Sequence, residues 1–218
     1  RSLHVTGVQT CALPISLENT TLNMKKICIP AVIIATLMFL PGFAFAQKLS
    51  PKEIKDGTAY YDGAELPLFG KAFEGDCANG RYRRLPARLE GGCRGALWYL
   101  GQESAGLYLR FRSDSPFVKA HWVSTFDNRM NHMTDTGVKG LDLYFLHDGK
   151  WRFAGSGRPK GKENEATIVA NMDREEREYM LYLSLYDGID QIEIGIDENS
   201  GIGLPKIDSP RSGNPIVM

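Results

Sequence analysis

Apolar and polar positions alternate with period two over much of this chain. Leu107, Leu109 and Phe111 alternate with Tyr108, Arg110 and Arg112. After Ser113-Asp114-Ser115-Pro116, Val118, Ala120 and Trp122 alternate with Lys119, His121 and Val123. Such alternation turns one face of a segment to a core and the other to solvent or a second layer, so the two segments read as adjacent antiparallel strands. Leu141, Leu143 and Phe145 share a face, Asp148-Gly149 marks a hairpin, and Lys150 to Ala154 returns. Tyr179 to Tyr186 is strand-rich, Asp187-Gly188 turns the chain, and Ile192, Ile194 and Ile196 alternate with Glu193, Gly195 and Asp197. Leu97 to Leu100, with Trp98, reads as a further apolar strand, and helical signal is confined to Pro51 to Ile54 and Asp173 to Arg177. The pattern predicts an all-β fold, an antiparallel β-sandwich or jelly roll.

Composition sets the boundaries. Residues 47–67 are expected to be a mobile lead-in, 68–197 the sandwich, and 198–214, rich in Gly, Pro, Ser and Asn, a linker. Pro215 to Met218 then reads as the opening strand of a further domain.

The first 46 residues are of another kind. Val5 to Ile15 is similar to the conceptual translation of a sequencing-library adapter, so residues 1–16, and the leader to 23, carry no functional argument. From Met24, Lys25-Lys26, the fourteen-residue run Ile27 to Leu40 and Ala44-Phe45-Ala46 have the charge, apolar core and cleavage site of a secretory signal peptide. A membrane span needs about 20 apolar residues, so the expectation is export to the periplasm or beyond, with no membrane attachment after cleavage.

Past Ala46 remain 172 residues with 23 basic and 25 acidic side chains. That balance gives no electrostatic footprint for nucleic acid. Two cysteines remain, Cys77 and Cys93, sixteen positions apart. In an oxidising compartment they can close a disulfide worth about 3 kcal/mol; two independent thiols are one alternative, and metal ligation, disfavoured by the lack of a nearby His or further Cys, is the other.

Catalytic chemistry is sparse. His121, His132 and His147 are separated by scattered acids, and no Gly-x-Ser-x-Gly elbow is present; no catalytic residue, metal ligand set or cofactor motif is assigned. The loop holding Asp127, Asn131, His132 and Asp135 has oxygen and nitrogen donors that a calcium ion would accept, but also the polarity of any strand connection. Among the aromatics Trp122 is in phase with the core, whereas Trp151 beside its turn is a candidate for stacking on a sugar ring. Asn131, His132 and Trp151 are thus the candidate binding residues, with glycan the ligand class. Asp142, set among Leu141, Leu143 and Tyr144, is expected to be a structural acid covered on both faces.

The strings Leu97-Trp98-Tyr99-Leu100, Ser104-Ala105-Gly106-Leu107, Phe111 to Ser115, His132-Met133 and Gly140-Leu141-Asp142-Leu143-Tyr144 resemble the GxDLY domain that precedes the catalytic domain of secreted SGNH (GDSL-type) hydrolases. The resemblance spans roughly residues 85–203 and implies a non-catalytic β-sandwich ahead of an α/β/α ester hydrolase, perceived here without its serine block, oxyanion-hole Gly and Asn, or Asp-x-x-His. The partner it implies is that catalytic domain in cis, with acylated carbohydrate as a substrate class. An autonomous carbohydrate-binding module is the rival reading.

Overall fold

The structure, a computed structural model, describes residues 49–72 and 79–206. The adapter-like leader, the signal segment, Cys77 and residues 207–218 lie outside the described residues. Among the described residues ten strands form: Glu53–Lys55 (β1), Thr58–Asp62 (β2), Leu68–Phe69 (β3), Tyr108–Ser113 (β4), Val118–Ser124 (β5), Leu141–His147 (β6), Lys150–Gly157 (β7), Glu163–Val169 (β8), Arg177–Tyr182 (β9) and Ile189–Asp197 (β10). They build two five-stranded antiparallel sheets, β1-β2-β10-β5-β8 and β3-β4-β9-β6-β7. Two short helices, Gly95–Gly101 (α1) and Asp135–Lys139 (α2), lie in the connections.

The period-two residues meet between the sheets. Leu109, Phe111, Leu141, Leu143, Tyr179 and Leu181 of one sheet face Ala59, Tyr61, Val118, Ala120, Trp122, Ile192, Ile194 and Ile196 of the other, all buried in one core cluster. Trp122 is fully enclosed, and its indole N–H donates to the Lys139 carbonyl at 3.2 Å. Burying a ring of this size stabilises the fold by several kcal/mol relative to Ala.

The structure corrects several expectations. β4 and β5 are not partners: β4 pairs with β9 and β5 with β10, so the Ser113 to Pro116 turn carries the chain across the core from one sheet to the other. The same holds for β9 and β10, so Asp187-Gly188 is a sheet-to-sheet connection, not a hairpin. Residues 53–62 are not a mobile lead-in, because β2 pairs with β10 from Thr58 to Asp62 and buries Ala59 and Tyr61. The Tyr60-Tyr61 doublet hides that alternation. Pro51 to Ile54 leads into β1, and Asp173 to Arg177 is a bend entering β9; neither is helical. The segment from Leu97 to Leu100 is helical instead, since an apolar run this short does not distinguish the two periods.

The fold also continues beyond Asp197. Ile202 is fully buried, and Gly203 pairs with Arg112 along the edge of β4 through N···O distances of 2.8 and 2.9 Å. Arg112 Nε donates to the Leu204 carbonyl at 2.6 Å and Lys206 to Glu176 at 2.7 Å. The glycines and serines of this stretch read as linker, yet one isoleucine fixes it to the core.

Candidate functional site

The connections at the β10 start, around Ile189, form the most elaborated part of the molecule. Asp187 is fully buried, and its carboxylate accepts backbone N–H groups from Phe126 (3.0 Å), Asn128 (2.8 Å) and Gly188 (2.7 Å). A buried carboxylate needs such donors to offset its desolvation, so this one acid staples the 126–128 loop to the 187–188 turn. Asp127 accordingly sits at φ 55, in the left-handed region that Asp tolerates better than most residues. Beside it, Arg83 donates to Thr125 Oγ1 and Asp190 Oδ1, both at 2.6 Å, and to the Gln102 carbonyl at 3.2 Å. A Cβ on Gly188 would lie 2.7 Å from the Gln102 carbonyl oxygen, which as backbone cannot yield, as well as against Arg83 and Thr125, which is why this turn takes glycine. Ser104 completes the frame, donating to the Tyr82 carbonyl at 2.8 Å and accepting from Ile189 N at 3.0 Å.

On this frame stands an apolar patch. Leu97, Tyr99 and Leu100 of α1, Phe126 and Leu185 are each between 37% and 49% exposed, and among the described residues only Ile54 and Phe153 are other large apolar side chains so open. The Tyr99 and Phe126 rings lie 5.1 Å apart, the Tyr99 hydroxyl donates to Asn128 Oδ1 at 3.1 Å, and Asn128 Nδ2 donates to the Tyr186 carbonyl at 2.9 Å. Sequence reasoning placed Leu97 to Leu100 in the interior and assigned Asp187 a turn; the staple and the patch are tertiary facts.

The residues picked from sequence do not converge. Asn131 and His132 are exposed in the loop before α2, with His132 Nδ1 3.0 Å from Asn131 Oδ1. Trp151 lies on the outer face of its sheet, paired with Leu146, its ring 5.5 Å from the Arg110 guanidinium carbon. Leu146 is five residues along β6 from Leu141, where α2 delivers the chain, so about 16 Å of strand separates the two. The acids of that loop face a buried cation of the protein's own. Lys139 is fully buried, forms an ion pair with Asp127 and lies 3.8 Å from Asp135, so both carboxylates are already matched to a cation. The Lys139 hydrogen bond, more than any other influence, holds the Asp127 carboxyl below its ordinary range.

Asp142 is exposed and accepts from Ser156 Oγ at 2.6 Å, so the expectation of cover on both faces is corrected: the sheet's outer face is open here. The other motif positions are structural. A Cβ on Gly140 would meet the Thr136 carbonyl at 2.3 Å and the Gly157 carbonyl at 2.8 Å; Leu141 and Leu143 are core; Tyr144 packs against Phe153 and Tyr182. Cys93 is half-buried, its thiol 3.5 Å from the Leu89 carbonyl.

The outer face of the β1-β2-β10-β5-β8 sheet carries a polar trough of about 380 Å³ with Tyr60, Lys119, His121, Glu163, Glu165 and Glu193 among its lining. His121 lies 3.2 Å from Glu163 and 3.4 Å from Glu193, and the Tyr60 hydroxyl donates to Glu165 at 2.7 Å. Burial, and then that acceptor, push the Tyr60 hydroxyl above its ordinary range. The lining holds carboxylates, lysines, Tyr60 and His121, and none of its residues is a serine or cysteine.

The family model for the GxDLY N-terminus of SGNH-hydrolase-type esterases matches residues 58–202. In structure the chain is similar to a protein described as a GDSL-like lipase from Bacteroides ovatus, at 36% identity and a TM-score of 0.64, over 68% of this chain and 43% of that one. It is also similar to the salicylyl-acyltransferase SsfX3 from a tetracycline biosynthetic pathway, at 15% identity and a TM-score of 0.51, over 72% of this chain and 44% of that one; at this identity the likeness concerns the fold alone. The match thus spans less than half the length of either protein. No curated protein matches. The all-β sandwich, the motif at Gly140 to Tyr144 and the match over most of the described residues lead to one assignment: this chain belongs to the GxDLY family of N-terminal domains of SGNH-type esterases.

Proposed function

We propose that this chain is the non-catalytic front domain of an exported SGNH/GDSL-type ester hydrolase, packing against the catalytic domain in cis and forming one wall of its substrate cleft. The observation that carries the reading is the match to a GDSL-like lipase whose chain is more than twice the matched length. Sites form commonly at such domain interfaces. The signal-like segment from Met24 to Ala46 supports export, and no helix among the described residues is long and apolar enough to cross a membrane. The test is to express the gene extended past Met218 beside the 218-residue chain and assay both on simple acetyl esters and on O-acetylated xylan oligomers. Turnover by the extended protein alone supports the reading; an extended protein without esterase activity removes it.

A second reading, an autonomous glycan-binding module, is favoured by one observation. Phe69, Tyr108, Tyr182, Tyr144 and Phe153 form a continuous row across the outer face of the β3-β4-β9-β6-β7 sheet, with successive ring centroids 5.4, 5.1, 5.8 and 5.6 Å apart. Phe69 and Tyr108 are stacked, but the remaining neighbours in the row are tilted or edge-on to one another, which suits mutual cover better than a flat platform for sugars. Retardation of the 218-residue chain in gels containing soluble polysaccharide, lost in Phe153→Ala, would establish the second reading.

A further inference from the structure

We infer that the patch made by Leu97, Tyr99, Leu100, Phe126 and Leu185 is the surface on which the catalytic domain docks, an inference that rests on the function proposed above. The Tyr99 and Phe126 rings are in contact, and Leu97, Leu100 and Leu185 stand open on the connections tied to them at this end of the sandwich, each 45% to 49% exposed; large apolar side chains gathered in this way mark interaction surfaces. The patch is rigidly held. α1 is tied to the 125–128 loop through Tyr99 and Asn128, and that loop to the 183–188 turn through Asp187. A surface fixed by a buried carboxylate and a three-way arginine is preorganised, so docking on it costs little ordering entropy.

The competing surfaces fit a protein partner less well. The outer face of the β3-β4-β9-β6-β7 sheet is covered by its own side chains at its centre, where Arg110 and Glu178 form an ion pair at 1% and 6% exposure with Phe69 and Trp151 against the guanidinium; toward β6 and β7 it opens, but there the exposed Phe153 shares the face with the exposed carboxylate of Asp142. The trough around His121 is lined mainly by charged groups, which are depleted from the buried centre of interfaces. The connection also has the reach. The chain is pinned as far as Lys206 at the sandwich end opposite the patch, and β10, nine residues long, spans about 30 Å between the ends. The eight residues from Ile207 to Asn214, ahead of the strand expected at Pro215, can extend to about 28 Å, close to the length of β10, so a following domain with its own breadth can lie alongside the sandwich and over the patch.

The test is amide hydrogen exchange on the extended protein and on the 218-residue chain, read at residues 95–101, 125–128 and 183–188. At least tenfold slower exchange at these segments in the extended protein is expected. Leu97→Asp with Leu100→Asp should return them to the rates of the 218-residue chain and lower kcat/KM on a polymeric ester about tenfold. Both positions are exposed, so the urea midpoint of the doubly substituted 218-residue chain should stay unchanged. Equal exchange in the two wild-type proteins, with esterase activity present, overturns the docking surface and leaves the proposed function standing, whether or not the variant folds. Protection that grows with concentration in the 218-residue chain, and to which the downstream domain adds nothing, assigns the patch to a second copy and also overturns it. An extended protein with no hydrolase domain overturns both.

Discussion

Asp187→Ala should be among the most damaging single substitutions in the domain, although the residue sits in an Asp-Gly turn. The carboxylate is fully buried and accepts three backbone N–H groups at 2.7 to 3.0 Å. Each such bond to a charged acceptor contributes about 1.5–3 kcal/mol, and truncation leaves its donor unpaired. Water entering from the loop margin recovers part of this, so a net loss of about 3–4 kcal/mol is expected. At a urea m-value of about 2 kcal/mol/M the midpoint should fall by roughly 1.5–2 M. Asp187→Asn keeps one oxygen for two of the donors but sets an amide N–H₂ against the third, and should fall between the variant and wild type. Asp142→Ala is the internal control, because that carboxylate is exposed with Ser156 as its partner, and should shift stability by less than about 1 kcal/mol. Urea unfolding followed by tryptophan fluorescence measures all three. Coincident midpoints for Asp187→Ala and Asp142→Ala would refute the argument that Asp187 is the staple of this end.

Gly140→Ala places a Cβ 2.3 Å from one backbone carbonyl and 2.8 Å from another, neither of which can yield like a side chain, and should cost about 2–4 kcal/mol in the same assay. Asp127→Asn should be less stable than wild type at pH 7, and the gap should close with acid. The folded carboxyl is held below its ordinary 3.8, so its contribution is complete above that value and lost as pH falls through the lower folded value; an unchanged gap at pH 2.5 would contradict the Lys139 pairing. The 218-residue chain alone should show no turnover of an activated acetyl ester above buffer, since the nucleophile and oxyanion donors that give several orders of magnitude in rate are not among its assigned residues. Turnover abolished by His121→Ala would overturn that.

Strands facing a common core were legible because their alternation is clean, as in β5, where Val118, Ala120 and Trp122 are buried in turn. Pairing was less legible: a short turn such as Ser113 to Pro116 is equally compatible with a hairpin and with a crossing to the opposite sheet. Arg110 and Arg112 look like solvent positions, yet are buried because Glu178 and Glu176 meet their charges across the outer face. Ile202 was lost in a glycine-rich composition, although it closes the core. The candidate site was the least legible part. The acceptor role of Asp187 depends on donors about sixty residues away in sequence, and Leu97, Tyr99 and Leu100 form a surface only because α1 turns them outward. Trp151, Asn131 and His132 stand out by residue type, which says nothing of whether the loop before α2 and the start of β7 converge.

The most direct test of the account is the coding sequence of the source DNA downstream of Met218. An open frame of roughly the length left unmatched in the Bacteroides ovatus protein is expected there, with a strand-associated Gly-x-Ser block soon after Pro215-Ile216-Val217 and an Asp-x-x-His near its end. A stop codon at once, or a continuation with neither block, would contradict it.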